Sequence, residues 1–281
     1  MDKSGVPNLL TRALSGALLA ICAVGAIYHS YWGFGVLLLA ITLGALREFY
    51  RMYQENNGFK PQLFAGYAAA TAIVAFGFDY FYNNNAYTIP LILFLLILIP
   101  LIFVAELCRG KASRPLENIG STLLGIVYIS LPMAMLAGVP LLMSKGVWNP
   151  WIMIFYLFVV WSNDSFAYLV GVNIGRHKLN EEISPKKSWE GFFGGVAGSI
   201  LMSCAAAYFT SGSYLVWIGL AIVLSVMGCV GDLVESMFKR SCEVKDSGGA
   251  LPGHGGLLDR FDSFIFSAPF ALVYLILMNS H

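Results

Sequence analysis

Charge is what this 281-residue chain has least of: Asp, Glu, Lys and Arg together make up 12% of it, about half the share found in ordinary soluble domains. With 58% hydrophobic residues and a mean hydropathy of +0.71, that scarcity argues against a water-soluble fold. Paired cysteines are lacking too. Cys22, Cys108, Cys204, Cys229 and Cys242 are scattered without C-x-x-C spacing, mostly inside apolar runs, which speaks against disulfides and zinc and for small buried side chains. No internal repeat, low-complexity linker or soluble domain is evident.

What the chain does have is apolar runs near the roughly 20 residues that a helix needs to cross a bilayer. They fall at 10–29, 31–47, 62–81, 87–107, 118–143, 149–172, 191–210, 213–231 and 261–279. Backbone polar groups within lipid must be satisfied inside each span, so helices are expected. The fold class read from this pattern is an all-α polytopic integral membrane protein of about nine transmembrane helices, in a single membrane domain over 1–281. The break at His29 to Trp32 has only weak turn residues, and a long helical hairpin is the safer description there. The first run, preceded by Lys3 and Arg12, is read as a retained signal anchor rather than a cleaved signal peptide.

On nine spans the basic residues segregate. One face takes Lys3, Arg12, Arg47, Arg51, Lys60, Arg109, Lys111, Arg114, Arg176, Lys178, Lys186, Lys187, Lys239, Arg240, Lys245 and Arg260, and the other keeps only Lys145. Cytoplasmic loops hold the positive excess, which places the N-terminus inside and the C-terminus outside. Polar density rises after Ser162, so 1–148 reads as mainly scaffold helices. The stretch 149–281 reads as the working part, with two cytoplasmic loops, 173–190 and 232–260.

The second of these loops opens by carrying the helical period of its span into charge, which puts Asp232, Ser236 and Lys239 on one face. It continues through Arg240, Lys245 and Asp246, then a glycine-rich stretch containing His254, and ends at Asp259, Arg260 and Asp262. Acids at a membrane boundary are costly and usually face a polar cavity. Asp232 and Asp259 are natural ligands for Mg²⁺, which is typically held by one or two carboxylates together with substrate phosphates. The glycines allow close backbone approach to phosphates, and Lys239, Arg240, Lys245 and Arg260 suit charge developing on a leaving pyrophosphate. Spacing alone leaves a gating loop, a headgroup clamp or a basic connector open beside phosphate handling.

In the loop 173–190, Ser184 and Pro185 suit the N-cap and first position of a helix. Lys186, Lys187 and Ser188 then serve either as interfacial anchors or as a phosphate site at a helix N-terminus. Asp164, flanked by Asn163 and Ser165 inside the sixth run, is read as functional. Glu48, Glu106 and Asp79, at span ends, are read as ordinary interface residues. Two overlapping G-x-x-x-G spacings, Gly191 with Gly195 and Gly194 with Gly198, permit close helix packing, with the partner helix undecided.

From Ser236 to Asp262 the chain resembles the signature of the phosphatidate cytidylyltransferases, also called CDP-diacylglycerol synthases. The matching positions are Ser236, Lys239-Arg240, Lys245-Asp246, Pro252, His254-Gly255-Gly256, Asp259-Arg260 and Asp262. Upstream, Asp164 to Tyr168, Gly175-Arg176 and Ser184 to Gly191 are similar to the same family, whereas the N-terminal half agrees only in being hydrophobic. The resemblance implies a dimeric enzyme of the bacterial branch in the plasma (inner) membrane, its active site facing the cytoplasm, whose partners are CTP, phosphatidate and membrane lipids and not nucleic acid. It implies metal-binding acids at Asp232 and Asp259, catalytic roles for Lys239, Arg240, Lys245 and Asp246, and substrate contacts from Asp164, Arg176, Ser184, Lys186, Lys187, Ser188, Ser236, His254, Arg260 and Asp262. Mg²⁺ is the expected cofactor, with a second, monovalent cation left open. The rivals are a polytopic transporter, whose inverted repeats are missing, and a nucleotidyltransferase acting on another lipid phosphate.

Overall fold

The computed structural model describes residues 9–83, 85–110, 114–249 and 255–280. Among the described residues nine helices carry the fold, in the order α1 (Leu9–His29), α2 (Tyr31–Asn57), α3 (Leu63–Tyr82), α4 (Thr88–Leu107), α5 (Pro115–Met143), α6 (Pro150–Ile174), α7 (Trp189–Thr210), α8 (Tyr214–Ser241) and α9 (Leu258–Asn279). Eight are long and apolar enough to cross a membrane, and α1 contributes the shorter apolar stretch Ser15–His29. The chain is an all-α polytopic membrane protein.

The hairpin between α1 and α2 has a true break. Ser30 adopts an extended conformation and its side chain accepts the Gly33 N–H at 3.0 Å, an N-cap of the kind that stabilises a helix start by about 1 kcal/mol. Gly58, with φ 68°, closes α2 in the left-handed conformation that glycine adopts freely. Helix α5 is irregular where proline dictates. Pro132 removes a donor and crowds the carbonyl four residues back, and the segment Ile126–Ser130 before it widens to a π-turn; Pro140 likewise follows the 3₁₀ turn Leu136–Gly138.

Asp79 is not an ordinary interface residue. It is buried at the end of α3, where its carboxylate accepts the Tyr87 N–H (2.9 Å), the Thr88 hydroxyl (2.8 Å) and the Asn83 amide (3.0 Å), and so caps the start of α4. Glu106 is likewise buried and takes hydrogen bonds from Asn118, Gln62 and Arg109. Both carboxylates need built partners because burial removes the water that an interface acid would use.

One hydrophobic core joins residues from Ala23 in α1 to Leu275 in α9. Helix α4 lies at its edge, with Ile89, Leu93, Leu96, Ile97 and Leu101 exposed, as suits a lipid-facing span. Helices α6 and α7 pack most closely, and glycine is the reason. A Cβ at Gly191 would lie 2.8 Å from the Ala167 carbonyl, at Gly194 2.5 Å from Val170, at Gly195 2.8 Å from Asn163, and at Gly198 2.7 Å from the Phe166 Cβ. The partner of both G-x-x-x-G spacings is therefore α6 of the same chain.

Two ends of the bundle are marked by chemistry. At one, Tyr31 stacks on Tyr82 and Trp148 meets both rings edge-on. At the other, Asn57, Lys60, Arg109, Arg114 and Ser241 are linked by hydrogen bonds between loops, and the two long connections of the C-terminal half emerge.

Those connections differ from expectation. Residues 184–188 form a strand, not a capped helix start: β2 (Ser184–Ser188) pairs antiparallel with β1 (Lys178–Asn180), and the turn is tied by Asn180 Oδ1 accepting the Ile183 N–H at 3.0 Å. The N-cap is Ser188, which accepts the Gly191 N–H at 3.2 Å. The stretch from Asp232 to Ser241 continues α8 without a break, so the loop of that region begins at Cys242 rather than at 232.

Candidate active site

A cavity of about 690 Å³ opens between α6, the β1–β2 hairpin, α7, α8 and α9, and every residue that lines it lies between Asn163 and Ser263. Its acids are Asp164, Asp232, Glu235, Asp246, Asp259 and Asp262, and its cations Lys178, Lys186, Lys187, Lys239 and Arg260. Apolar walls come from Ala167, Tyr168, Val172, Leu179 and Phe192, with Tyr168 and Val172 also reaching the outer surface. The cavity is thus a charged chamber with one greasy side.

Helical spacing sets the floor. Asp232, Glu235 and Lys239 recur on one face of α8, while Asp259 and Asp262 share a face of α9; Ser236, expected as a substrate contact, is buried and stands outside the lining. Carboxylate oxygens of Asp232, Glu235 and Asp262 lie within 4.8 Å of one another. Lys239 joins this cluster to Asp259, with its Nζ 2.5 Å from Glu235 and 2.7 Å from Asp259. Asp259 also accepts the N–H groups of Ser247 (3.1 Å) and Gly256 (2.8 Å). On the opposite wall, Lys187 of β2 reaches Asp232 at 2.6 Å, and Ser236 donates to Asp232 at 3.3 Å. Two strands of chemistry predicted from separate loops therefore meet directly.

Hard carboxylate oxygens suit a divalent cation such as Mg²⁺. Glu235 is buried, yet its Oε1 has no hydrogen-bond partner, and a buried carboxylate oxygen without a donor is an available ligand atom. The cluster of Asp232, Glu235 and Asp262 suits such an ion, whereas Asp259, expected beside Asp232 as a ligand, stands outside that cluster with its oxygens engaged by Lys239, Ser247 and Gly256.

Not every predicted residue reaches the cavity. Arg176 is exposed, and its backbone N–H, with the His177 backbone and ring, is held by Glu190, which pins the hairpin to the start of α7. Arg240 is exposed and donates to the Val244 carbonyl at 3.2 Å. Lys245 is exposed, and Ser184 lies at the far end of β2 from the cavity lining. Ser188 lines the cavity while its hydroxyl is engaged as the cap of α7. His254 lies outside the described residues. The cysteines are free, and of the five expected to be buried only Cys242 is, with Cys204 and Cys229 half-buried and Cys22 and Cys108 exposed; burial pushes the Cys242 thiol up from its ordinary pKa.

Three participants were not singled out from sequence. Glu235 had a signal, since it sits three residues after Asp232 and four before Lys239 on the same face. Lys178 is brought in by strand pairing opposite Ser188, and Asn163 by the close approach of α7 at Gly195; neither has a local signature.

Comparison with known proteins bears on this site. The model of the cytidylyltransferase family matches residues 10–278. A protein named phosphatidate cytidylyltransferase from Bacillus subtilis (strain 168) is 33% identical over 275 residues, covering 97% of this chain and 99% of that protein. Proteins of the same name from Staphylococcus aureus (strain COL) and Staphylococcus epidermidis (strain ATCC 12228) are 52% identical over 126 residues and 50% over 125. In each staphylococcal case the match covers 44% of this chain and spans about half, 48%, of the relative's length.

Proposed function

This chain belongs to the cytidylyltransferase family, and we propose that it converts CTP and phosphatidate to CDP-diacylglycerol and pyrophosphate in phospholipid biosynthesis. The observation that carries this reading is the cavity itself, in which five cations and six carboxylates share one chamber with an apolar wall. A lipid phosphate and a nucleotide triphosphate each need cationic partners, and only the lipid needs the apolar wall.

An oxygen of the phosphatidate phosphate attacks the α-phosphorus of CTP in line. The bond from that phosphorus to the bridging oxygen of the β-phosphate breaks, and its electron pair leaves with pyrophosphate. A phosphate monoester, with a second pKa of about 6, is mostly dianionic at neutral pH and needs no strong base. Positioning and charge neutralisation then dominate the barrier. Lys186, Lys187, Lys178 and Arg260 neutralise the phosphates, and Lys239 holds Glu235 and Asp259 in place. Asp164 accepts hydrogen bonds from the nucleotide, and Asp246 borders the same chamber. Mg²⁺ would be held by Asp232 and Asp259, with Glu235 and Asp262 as further carboxylates, and when bound it supplies neutralisation of the triphosphate; a monovalent cation would use the same acids.

Tyr168, Val172 and Phe192 suit sideways entry of the lipid chains. The peripheral cations Arg176, Arg240 and Lys245, with Ser184, belong to the approach of anionic substrate in this reading, and His254 is kept as a substrate contact on the sequence alone. The segregation of Lys and Arg supports a cytoplasmic placement of the cavity, with the N-terminus inside and the C-terminus outside. Residence in the plasma membrane and a homodimeric state complete the proposal, as does the division into scaffold helices over 1–148 and catalytic helices over 149–281, which the origin of all lining residues after position 162 supports.

The test is transfer of label from CTP into the lipid fraction by purified protein in detergent. Labelling that needs both phosphatidate and Mg²⁺ is the expected result. Labelling with another lipid phosphate alone would reassign the acceptor, and none with any acceptor and metal would refute the reading.

A further inference from the structure

Glu48 lies on α2, in the half of the chain that contributes nothing to the cavity lining, yet it is buried and meets the two described ends of the loop between Asp246 and Asp259. Its Oε2 accepts the backbone N–H of Leu258 at 2.8 Å and the Ser247 hydroxyl at 3.4 Å. Leu258 is the first residue of α9, and that helix has no side-chain cap of its own at Leu257. The opening N–H groups of a helix have no intrahelical partner and favour negative charge. Glu48 supplies it from 210 residues away in sequence.

The same carboxylate explains two glycines. A Cβ at Gly248 would lie 2.7 Å from Glu48 Oε1, and one at Gly256 2.8 Å from Glu48 Cδ. These glycines admit a protein carboxylate, not the phosphate that glycine in such a loop first suggests. One turn earlier on α2, Gly44 leaves room for Leu257, whose Cδ2 would be 3.2 Å from an added Cβ. Helix α2 is therefore a floor beneath both ends of the loop.

That loop also holds Asp259. Ser247 and Gly256 give their N–H groups to Asp259 on one side, while the Ser247 hydroxyl and the neighbouring Leu258 N–H go to Glu48 on the other. Two carboxylates grip the same two loop ends from opposite faces. We propose that Glu48 is a positioning residue for the reaction: it latches Ser247 and Leu258 so that Asp259, and through it Lys239, is presented to the cavity in register. Glu48 touches no substrate in this scheme. The effect on turnover rests on the function proposed above, whereas the latch itself does not.

The experiment uses the full-length protein in detergent, with Glu48→Ala, Glu48→Gln, Gly248→Ala and the Glu48→Ala/Gly248→Ala double variant. Hydrogen exchange over 242–258 is followed beside kcat and KM for CTP and phosphatidate. Displacing a reacting group by about 1 Å can cost on the order of 100-fold. Glu48→Ala is therefore expected to lower kcat by about 10-fold or more with smaller changes in KM, and to raise exchange in 242–258 while α6 and α7 stay protected. Glu48→Gln, which keeps one acceptor, falls between. Gly248→Ala impairs the parent protein and adds little once Glu48 is alanine, because the colliding carboxylate is gone. Unchanged exchange over 242–258 in Glu48→Ala, or full additivity of the two substitutions, overturns the latch. If the parent protein transfers no CMP, the exchange measurements still decide the latch, and the failure belongs to the proposed reaction.

Discussion

Replacing Lys239 by Met tests the electrostatics of the site most directly. The lysine side chain is 12% exposed and contacts two carboxylates that are 1% and 8% exposed, at 2.5 and 2.7 Å. With an effective dielectric of about 20, each pair attracts by about 6 kcal/mol, most of it offset by the desolvation of all three groups. Removing one partner forfeits the attraction and keeps the desolvation, so the net loss is about 3–5 kcal/mol. Met preserves the stem and volume, which leaves charge as the variable. The assay is unfolding of the purified protein by denaturing detergent, repeated with Mg²⁺. Lys239→Met should be less stable by that amount, and Glu235→Gln added to it should restore part of the loss, because one of the two stranded carboxylates is then neutral. Mg²⁺ should stabilise Lys239→Met more than the parent protein, since the ion competes with no ammonium. A loss below about 1 kcal/mol, the scale of a surface pair, with additive double variants, would refute the reasoning.

Asp232→Asn should abolish CMP transfer while leaving the folded membrane protein in place, because Asp232 is only part-buried and its cationic partner Lys187 lines the open cavity; retained activity would remove it from the metal site. Asp79→Ala should lower the unfolding midpoint, since three donors at the α3–α4 turn lose their acceptor, with kcat of the folded fraction unchanged. Gly195→Leu forces a side chain into Asn163 and should cost about 1–3 kcal/mol as an overpacked contact, with a fall in kcat because the α6 wall that carries Asp164 must move; both are read by unfolding and by label transfer.

The helices were legible because lipid enforces one rule: an apolar run near 20 residues must satisfy its own backbone. The runs expected at 62–81 and 87–107 match α3 and α4 within a residue or two at each end. Where polar residues extend a helix into water the rule says nothing, and α8 outruns its apolar stretch by ten residues, to Ser241. The strand at Ser184–Ser188 escaped for a related reason. Its Ser-Pro opening is as good a helix start as a strand start, and pairing with Lys178–Asn180 decided between them. Within the site, residues whose partners lie on the same helix turn, Asp232 with Ser236 and Lys239, could be grouped from spacing. Lys178 and Asn163 could not, since only tertiary contact places them.

Glu48 marks the boundary between what was visible and what was overlooked. In α2 the buried residues Ile41, Ala45, Glu48 and Met52 follow one another at helical spacing. A carboxylate in that stripe faces the core by periodicity alone, and a core carboxylate must have donors waiting for it. Glu48 stands within α2 rather than at its end and is buried, so it is out of reach of the water that serves a span-end acid. The donors belong to the loop ends that hold Asp259, so the N-terminal half of the chain reaches the cavity's surroundings through one side chain. Through Glu48 it meets Ser247 and Leu258, at the two described ends of that loop. Loss of that restraint should appear first as exchange at the loop ends, 242–249 and 255–258, before any change in the helices that form the walls.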